Sequence, residues 1–134
     1  MKILVDTSVW SLALRRKQTH ETQTVAQLRQ FIEDGESIFL LGAIIQELLA
    51  GITDDQLFDR VAEHLANFPM ITLERRDYIE AARLRNACKR QGVSAGAIDF
   101  LIASTCIQRE LLLYTLDKDF QNMAAISELK LLQA

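Results

Sequence analysis

The amino-acid sequence predicts an α/β fold, a mostly parallel sheet of about four to five short strands flanked by helices on both faces. Three observations carry this. First, runs of about five residues such as SIFLL and LLLYT are apolar throughout; they lack the alternation of a half-solvated strand and suit strands buried on both faces. Second, the stretches between them carry apolar residues at helical spacing, and strands alternating with helices favour a parallel sheet. Third, 134 residues with five Gly and one Pro suit one compact domain over residues 1–134, large enough to fold without disulfides or a structural metal.

The elements follow in order. Lys2–Val5 reads as the first strand, and Asp6-Thr7-Ser8 offers three cap residues for a helix over Val9–Arg16. Lys17–Thr22 is polar and reads as a loop. Val25, Leu28, Phe31 and Ile32 share one helical face, which predicts an amphipathic helix over Glu21–Glu33 ended by Asp34-Gly35. Ser37–Leu41 is the second strand, and Gly42 opens a helix that ends near Gly51. Asp54–Asn67 is amphipathic through Leu57, Phe58, Val61 and Leu65. Pro69–Leu73 reads as the third strand, since Pro is tolerated at a strand's first residue. Asp77–Arg90 is helical through Ile79, Ala82 and Leu84, and Gly92–Gly96 is a turn. Ala97–Arg109 is an almost wholly apolar helix that must be central. Leu111–Thr115 is the fourth strand, Asp117–Ala125 a loop with a short helix, and Leu129–Leu132 a candidate fifth strand.

Composition narrows the function classes. No apolar run approaches the ~18–20 residues of a membrane helix, so no membrane partner is expected. The opening MKILVDTSVW is too short and too soon acidic for a signal peptide. Cys88 and Cys106 lie inside apolar helical patterns with no C-x-x-C pair and no His at ligand spacing. They read as buried thiols, which suits a reducing cytoplasm. The net charge of -3 neither requires nor excludes a nucleic-acid partner. No phosphate-binding glycine loop is present, and His20 and His64 read as solvated.

In open α/β sheets, ligands bind beyond the carboxyl ends of the strands. Asp6 falls there after strand one, and Thr115, Asp117 and Asp119 after strand four. Each is also an ordinary turn or cap residue. Glu47 stands in GAIIQELLAG with Ile44 and Ala50 three positions to either side. That predicts a partly buried carboxylate needing a partner, an Arg or Lys or a metal. Asp99 opens an otherwise apolar helix, where it also complements the helix dipole. Carboxylates that converge without matched bases repel one another unless a hard divalent cation binds between them, and such a site can drive phosphodiester hydrolysis.

Four segments in this order, ILVDTSVW, IIQELLAG, AIDFLIASTCIQREL and LLLYTLDKDFQNMA, resemble the PIN-domain ribonucleases, and among them the VapC-type toxins of bacterial toxin–antitoxin pairs. The resemblance covers essentially the whole chain. It implies a PIN-like three-layer fold and an endoribonuclease that uses Mg²⁺ or Mn²⁺ on RNA. By motif position it implies metal-holding and catalytic acids at Asp6, Glu47 and Asp99, with the fourth at Asp117 or Asp119, Asp117 preferred. Thr7, Ser8 and Thr115 become hydroxyls that support the acids or touch phosphate. Arg15, Arg16, Lys17, Arg83 and Arg85 are weaker RNA-binding candidates, since each also reads as a solvated helix face. The partners implied are RNA, a VapB-like antitoxin and a second copy of the chain, with Ala43–Leu49 as the expected self-association surface. Two other readings compete: a non-catalytic PIN-like RNA- or protein-binding module, and a phosphatase with Asp6 as nucleophile, for which Ser8 stands where a second acid is usual.

Overall fold

The computed structural model describes residues 1–14 and 21–132. Arg15, Arg16, Lys17 and His20 therefore lie outside the described residues. The elements run β1 (Lys2–Val5), α1 (Thr7–Leu14), α2 (Gln23–Glu33), β2 (Ser37–Leu41), α3 (Gly42–Leu49), α4 (Asp55–Leu65), β3 (Met70–Ile71), α5 (Arg75–Arg90), α6 (Ala97–Arg109), β4 (Leu112–Tyr114), α7 (Lys118–Ala124) and β5 (Leu131–Leu132). The five strands form one sheet in the order β3-β2-β1-β4-β5, and every pairing is parallel. Helices α1 to α4 pack in one chain of contacts, and α5 to α7 in another. Among the described residues no helix is long and apolar enough to cross a membrane.

The uniformly apolar strands are buried as their composition demands. Ile3, Leu4, Val5, Ile38, Leu40, Leu41, Leu113 and Tyr114 all lie in the core. Strand β1 is central, with Ile3 opposite Ile38 on one side and Leu112 on the other. The chain lays β2 and β3 to one side of β1 and then places β4 on its other side. The strand order reverses between β1 and β4, which opens a crevice at their carboxyl ends.

Several boundaries shift for local reasons. Helix α1 starts at Thr7, two residues before the expected Val9, because the Asp6 carbonyl already accepts the Val9 and Trp10 N–H groups. Helix α2 starts at Gln23 because Thr22 caps it. Helix α5 starts at Arg75, ahead of Asp77, because Glu74 is the cap and the Asp77 carboxylate accepts its N–H at 2.8 Å. Strands β3 and β5 are sheet edges with one hydrogen-bonded neighbour each, and both are shorter than expected.

Two expectations about faces are overturned. On α5 the inward residues are Asp77, Ala81, Leu84 and Cys88, whereas Ile79 and Ala82 are exposed. A charged residue at the first inward position hid the pattern. On α3 Glu47 is exposed rather than partly buried, because Ile44 and Leu48 take the inward face. Ile45 and Leu49 pack against the same core. The apolar side chains of Ala43–Leu49 are thus used inside the chain and leave little for a second copy.

Candidate metal centre

Asp6 follows β1 directly and is only 6% exposed. Its N–H donates to the Tyr114 carbonyl at 3.0 Å, which joins the carboxyl ends of β1 and β4. The Asp6 carboxylate does not cap its own helix. Instead its Oδ2 accepts from Ser8 Oγ at 2.9 Å and from Thr115 Oγ1 at 2.8 Å. Those hydroxyls are oriented in turn: Ser8 Oγ accepts the Leu116 N–H and Thr115 Oγ1 the Asp117 N–H, both at 3.0 Å.

Asp117 caps α7, its Oδ1 accepting the Asp119 N–H at 2.9 Å. The helix is anchored by Phe120 and Met123, both fully buried. Asp99 is the third residue of α6, and its Oδ2 accepts the Gly96 N–H at 3.3 Å. The reading of Asp99 as a residue that serves the helix start is correct as far as it goes. It leaves unexplained why oxygens of Asp99, Asp117 and Asp119 lie within 4.8 Å of one another. All three residues are half-buried.

The electrostatics extend the group to five. Desolvation, then the charges of Asp117, Asp6 and Asp119, push the Asp99 carboxyl above its ordinary range, with the Gly96 bond opposing. Partial desolvation, then Asp6, Asp99 and Asp117, raise Glu47 in the same way. Glu47 itself is exposed, at the open side of these charges. Among the described residues the ion pairs are Met1–Glu36, Arg29–Glu21, Arg83–Glu80 and Arg109–Asp77; none neutralises any of the five acids.

Carboxylate oxygens without basic partners match a hard divalent cation such as Mg²⁺ or Mn²⁺. Cys106 is buried, and desolvation and then Asp6 push its thiol up, which favours the protonated form over a soft thiolate donor. The donor set therefore fits the cofactor that the sequence implies.

Other residues singled out in the sequence sort differently. The Thr7 hydroxyl is buried and has no hydrogen-bond partner among the described residues, so it supports none of the acids. Arg83 pairs with Glu80 and lies beside Ser104 and Ile107, in the later half of α6. Arg85 lies beside Ala97 and Ile98 at the start of α6. The bidentate pair of Arg109 with Asp77, at 2.5 and 3.1 Å, was missed. So was the Gly96 donor, although Gly96 and Asp99 have the three-residue spacing of a capping box.

A family model for the PIN domain matches residues 3–126, a span that includes all five acids. The chain belongs to the PIN-domain family. No curated protein matches it in sequence. Among solved structures, the PIN domain is similar to a chain in VapBC2 from Rickettsia felis bound to a DNA fragment from its promoter, with 20% identity over 98% of both chains and a TM-score of 0.79. It is similar to a chain in FitAcB from Neisseria gonorrhoeae, with 23% identity over 98% of this chain and 96% of that one and a TM-score of 0.74. A member of the VapBC family, VapBC-5 from Mycobacterium tuberculosis, matches over 100% of both chains at 19% identity and a TM-score of 0.70. At these identities the likeness is one of fold.

Proposed function

We propose that this PIN domain is a Mg²⁺- or Mn²⁺-dependent endoribonuclease and the toxin of a VapBC-type pair, acting in the cytoplasm. The observation that carries the reading is the set of acids without ion-pair partners gathered at the strand-order reversal. Asp99, Asp117 and Asp119 supply the closest oxygens and Asp6 a buried one, while Glu47 is the acid most open to solvent and substrate. A divalent cation bound there supplies charge to stabilise the phosphodiester transition state and lowers the pKa of an attacking water. The chain's own part is to hold that charge in fixed geometry. Asp6 and Asp117 are fixed by hydrogen bonds from hydroxyl and backbone donors, and Asp99 by the first turn of α6. Arg85, on α5 beside Ala97 and Ile98, is the candidate among the described residues for an RNA phosphate.

The competing readings fare less well. A phosphatase nucleophile at Asp6 needs a free, accessible carboxylate, and here one oxygen is bonded to two hydroxyls in a residue that is nearly buried. A non-catalytic module has no need of five acids without ion-pair partners. The structural relatives named for VapBC and FitAcB support an antitoxin partner, and an Arg from it would pair with these carboxylates. Self-association suits the exposed apolar side chains of α5 and α6, with Tyr78 56% and Ile98 43% exposed.

The test is cleavage of RNA by purified protein with Mg²⁺ or Mn²⁺, beside Asp99→Asn and beside wild type in excess chelator. Cleavage that stops in both controls supports the reading. Full cleavage in chelator, or by Asp99→Asn, overturns it.

A further inference from the structure

We infer that Ser8 and Thr115 are positioning residues that reserve one oxygen of Asp6 and thereby set the pocket's preference for a small divalent cation over a large one. The inference rests on the reading of the acids as a cation site and adds what determines the choice of ion. Each hydroxyl has a single proton to give. Because Ser8 Oγ and Thr115 Oγ1 accept the Leu116 and Asp117 N–H groups, their own protons are free to point at Asp6 Oδ2. The contact of 3.4 Å between the two hydroxyls is then left without a proton to share.

A carboxylate oxygen has two lone pairs, and both of those on Oδ2 are used. Among the described residues nothing donates to Oδ1. Asp6 therefore presents one oxygen to a cation and cannot chelate with two. On Asp117 and Asp99 one oxygen each takes a single N–H bond, Oδ1 from Asp119 and Oδ2 from Gly96, so Asp6 is the acid whose second oxygen is fully used. A ligand that offers one oxygen suits the tight octahedral shell of Mg²⁺. Ca²⁺ takes more oxygens at longer range, and carboxylates that bind through both atoms commonly supply them. The hydroxyl pair thus acts against the larger ion by withholding the second oxygen. Burial makes this effective, since Asp6 and Thr115 are each 6% exposed and have little room to rotate away.

The experiment is calorimetric titration of Mg²⁺, Mn²⁺ and Ca²⁺ into wild type, Thr115→Val, Thr115→Ser, Ser8→Ala and Asp99→Asn, with thermal unfolding in chelator as a check on folding. Removing a group that orients a metal ligand typically costs about 10–100-fold in affinity. Thr115→Val and Ser8→Ala are expected to lose Mg²⁺ affinity to about this extent while losing much less for Ca²⁺, so that the ratio of the two affinities moves about tenfold or more toward Ca²⁺. Thr115→Ser keeps the donor and is expected to keep the wild-type ratio. Equal losses for both ions, or Thr115→Ser behaving like Thr115→Val, would overturn the inference while leaving the cation site standing. If Thr115→Val does not fold, Ser8→Ala and Thr115→Ser decide the matter alone. A wild type that binds no divalent cation, or binding unaffected by Asp99→Asn, would remove the site itself and the inference with it.

Discussion

Replacing Asp99 by Asn should reverse the order of stability of the two proteins between chelator and metal. Oxygens of Asp99, Asp117 and Asp119 lie within 4.8 Å of one another. Two unit charges about 5 Å apart repel by about 0.8 kcal/mol in water and about 3 kcal/mol at an effective dielectric of about 20. Half-exposed groups fall toward the lower figure. Relief of repulsion from two near neighbours then amounts to about 1–2 kcal/mol. The Asn side chain still offers an oxygen to the Gly96 N–H, so the helix start loses little. For a domain of this size the gain corresponds to about 4–8 °C in Tm. In chelator the variant should therefore melt above wild type. With cation at about 100 times its dissociation constant, wild type gains about 2.7 kcal/mol by mass action, and the variant gains almost nothing. The order of the two melting curves then inverts. Differential scanning fluorimetry with and without Mn²⁺ reads both halves. A variant that melts below wild type in chelator refutes the repulsion argument, and one that Mn²⁺ stabilises as strongly as wild type refutes the role of Asp99 in holding the ion.

Two further expectations concern pH and the ion pair remote from the pocket. Asp99 and Glu47 have raised pKa values in the fold, so the native state binds their protons more tightly than the unfolded chain does. Metal-free protein should gain stability as pH falls from neutral through those raised values. Asp77, lowered mainly by its hydrogen bond from Arg109, contributes stability above its unfolded pKa that is lost as pH falls through its folded one. Denaturant melts across pH should show a maximum on the acid side of neutral, flattened in Asp99→Asn; a steady decline from neutral downward would contradict this. Arg109→Leu leaves Asp77 nearly buried without its partner and should cost about 2–4 kcal/mol. Adding Asp77→Asn should recover part of that loss in a double-mutant cycle, and strictly additive losses would show that the pair is not coupled.

Much of the fold was legible because its signals are local. β1, β2 and α6 have the bounds that their composition predicts, since a run such as SIFLL is apolar throughout and Ala97–Arg109 is too apolar to be anything but central. The errors fell where a neighbour distant in sequence decides. Asp77 faces inward because Arg109 receives it 32 positions away, and a carboxylate in that place disguised the inward face of α5. Glu47 looked buried from its apolar flanks, yet the inward face of α3 is taken by Ile44 and Leu48, with Ile45 and Leu49 partly buried beside them. In the pocket, strand-end position pointed to Asp6 and to the pair Asp117 and Asp119, apolar surroundings pointed to Glu47 and Asp99, and the motif resemblance joined them into one set. The choice between Asp117 and Asp119 had no answer in sequence. In the fold Asp117 accepts the Asp119 N–H, and both belong to one group of carboxylates. The resemblance named Ser8 and Thr115 as supporting hydroxyls, but that both converge on one oxygen of Asp6 was not legible, because the Thr115 bond depends on β1 and β4 lying side by side.

That juxtaposition has a consequence for when the molecule can act. The bond from Thr115 to Asp6 spans 109 positions, and Asp119 lies further along still. During synthesis at about 5–20 residues per second, a ribosome-bound fragment that ends anywhere before β4 holds Asp6 without Thr115 and Asp99 without Asp117 and Asp119. On the proposed reading, a chain that ends before β4 lacks the assembled pocket, whatever length of native structure it has gained. Asp6 meets Thr115 and Asp99 meets Asp117 and Asp119 only once β4 and the start of α7 are in place beside β1. Cleavage would therefore follow that pairing and would not grow in step with chain length.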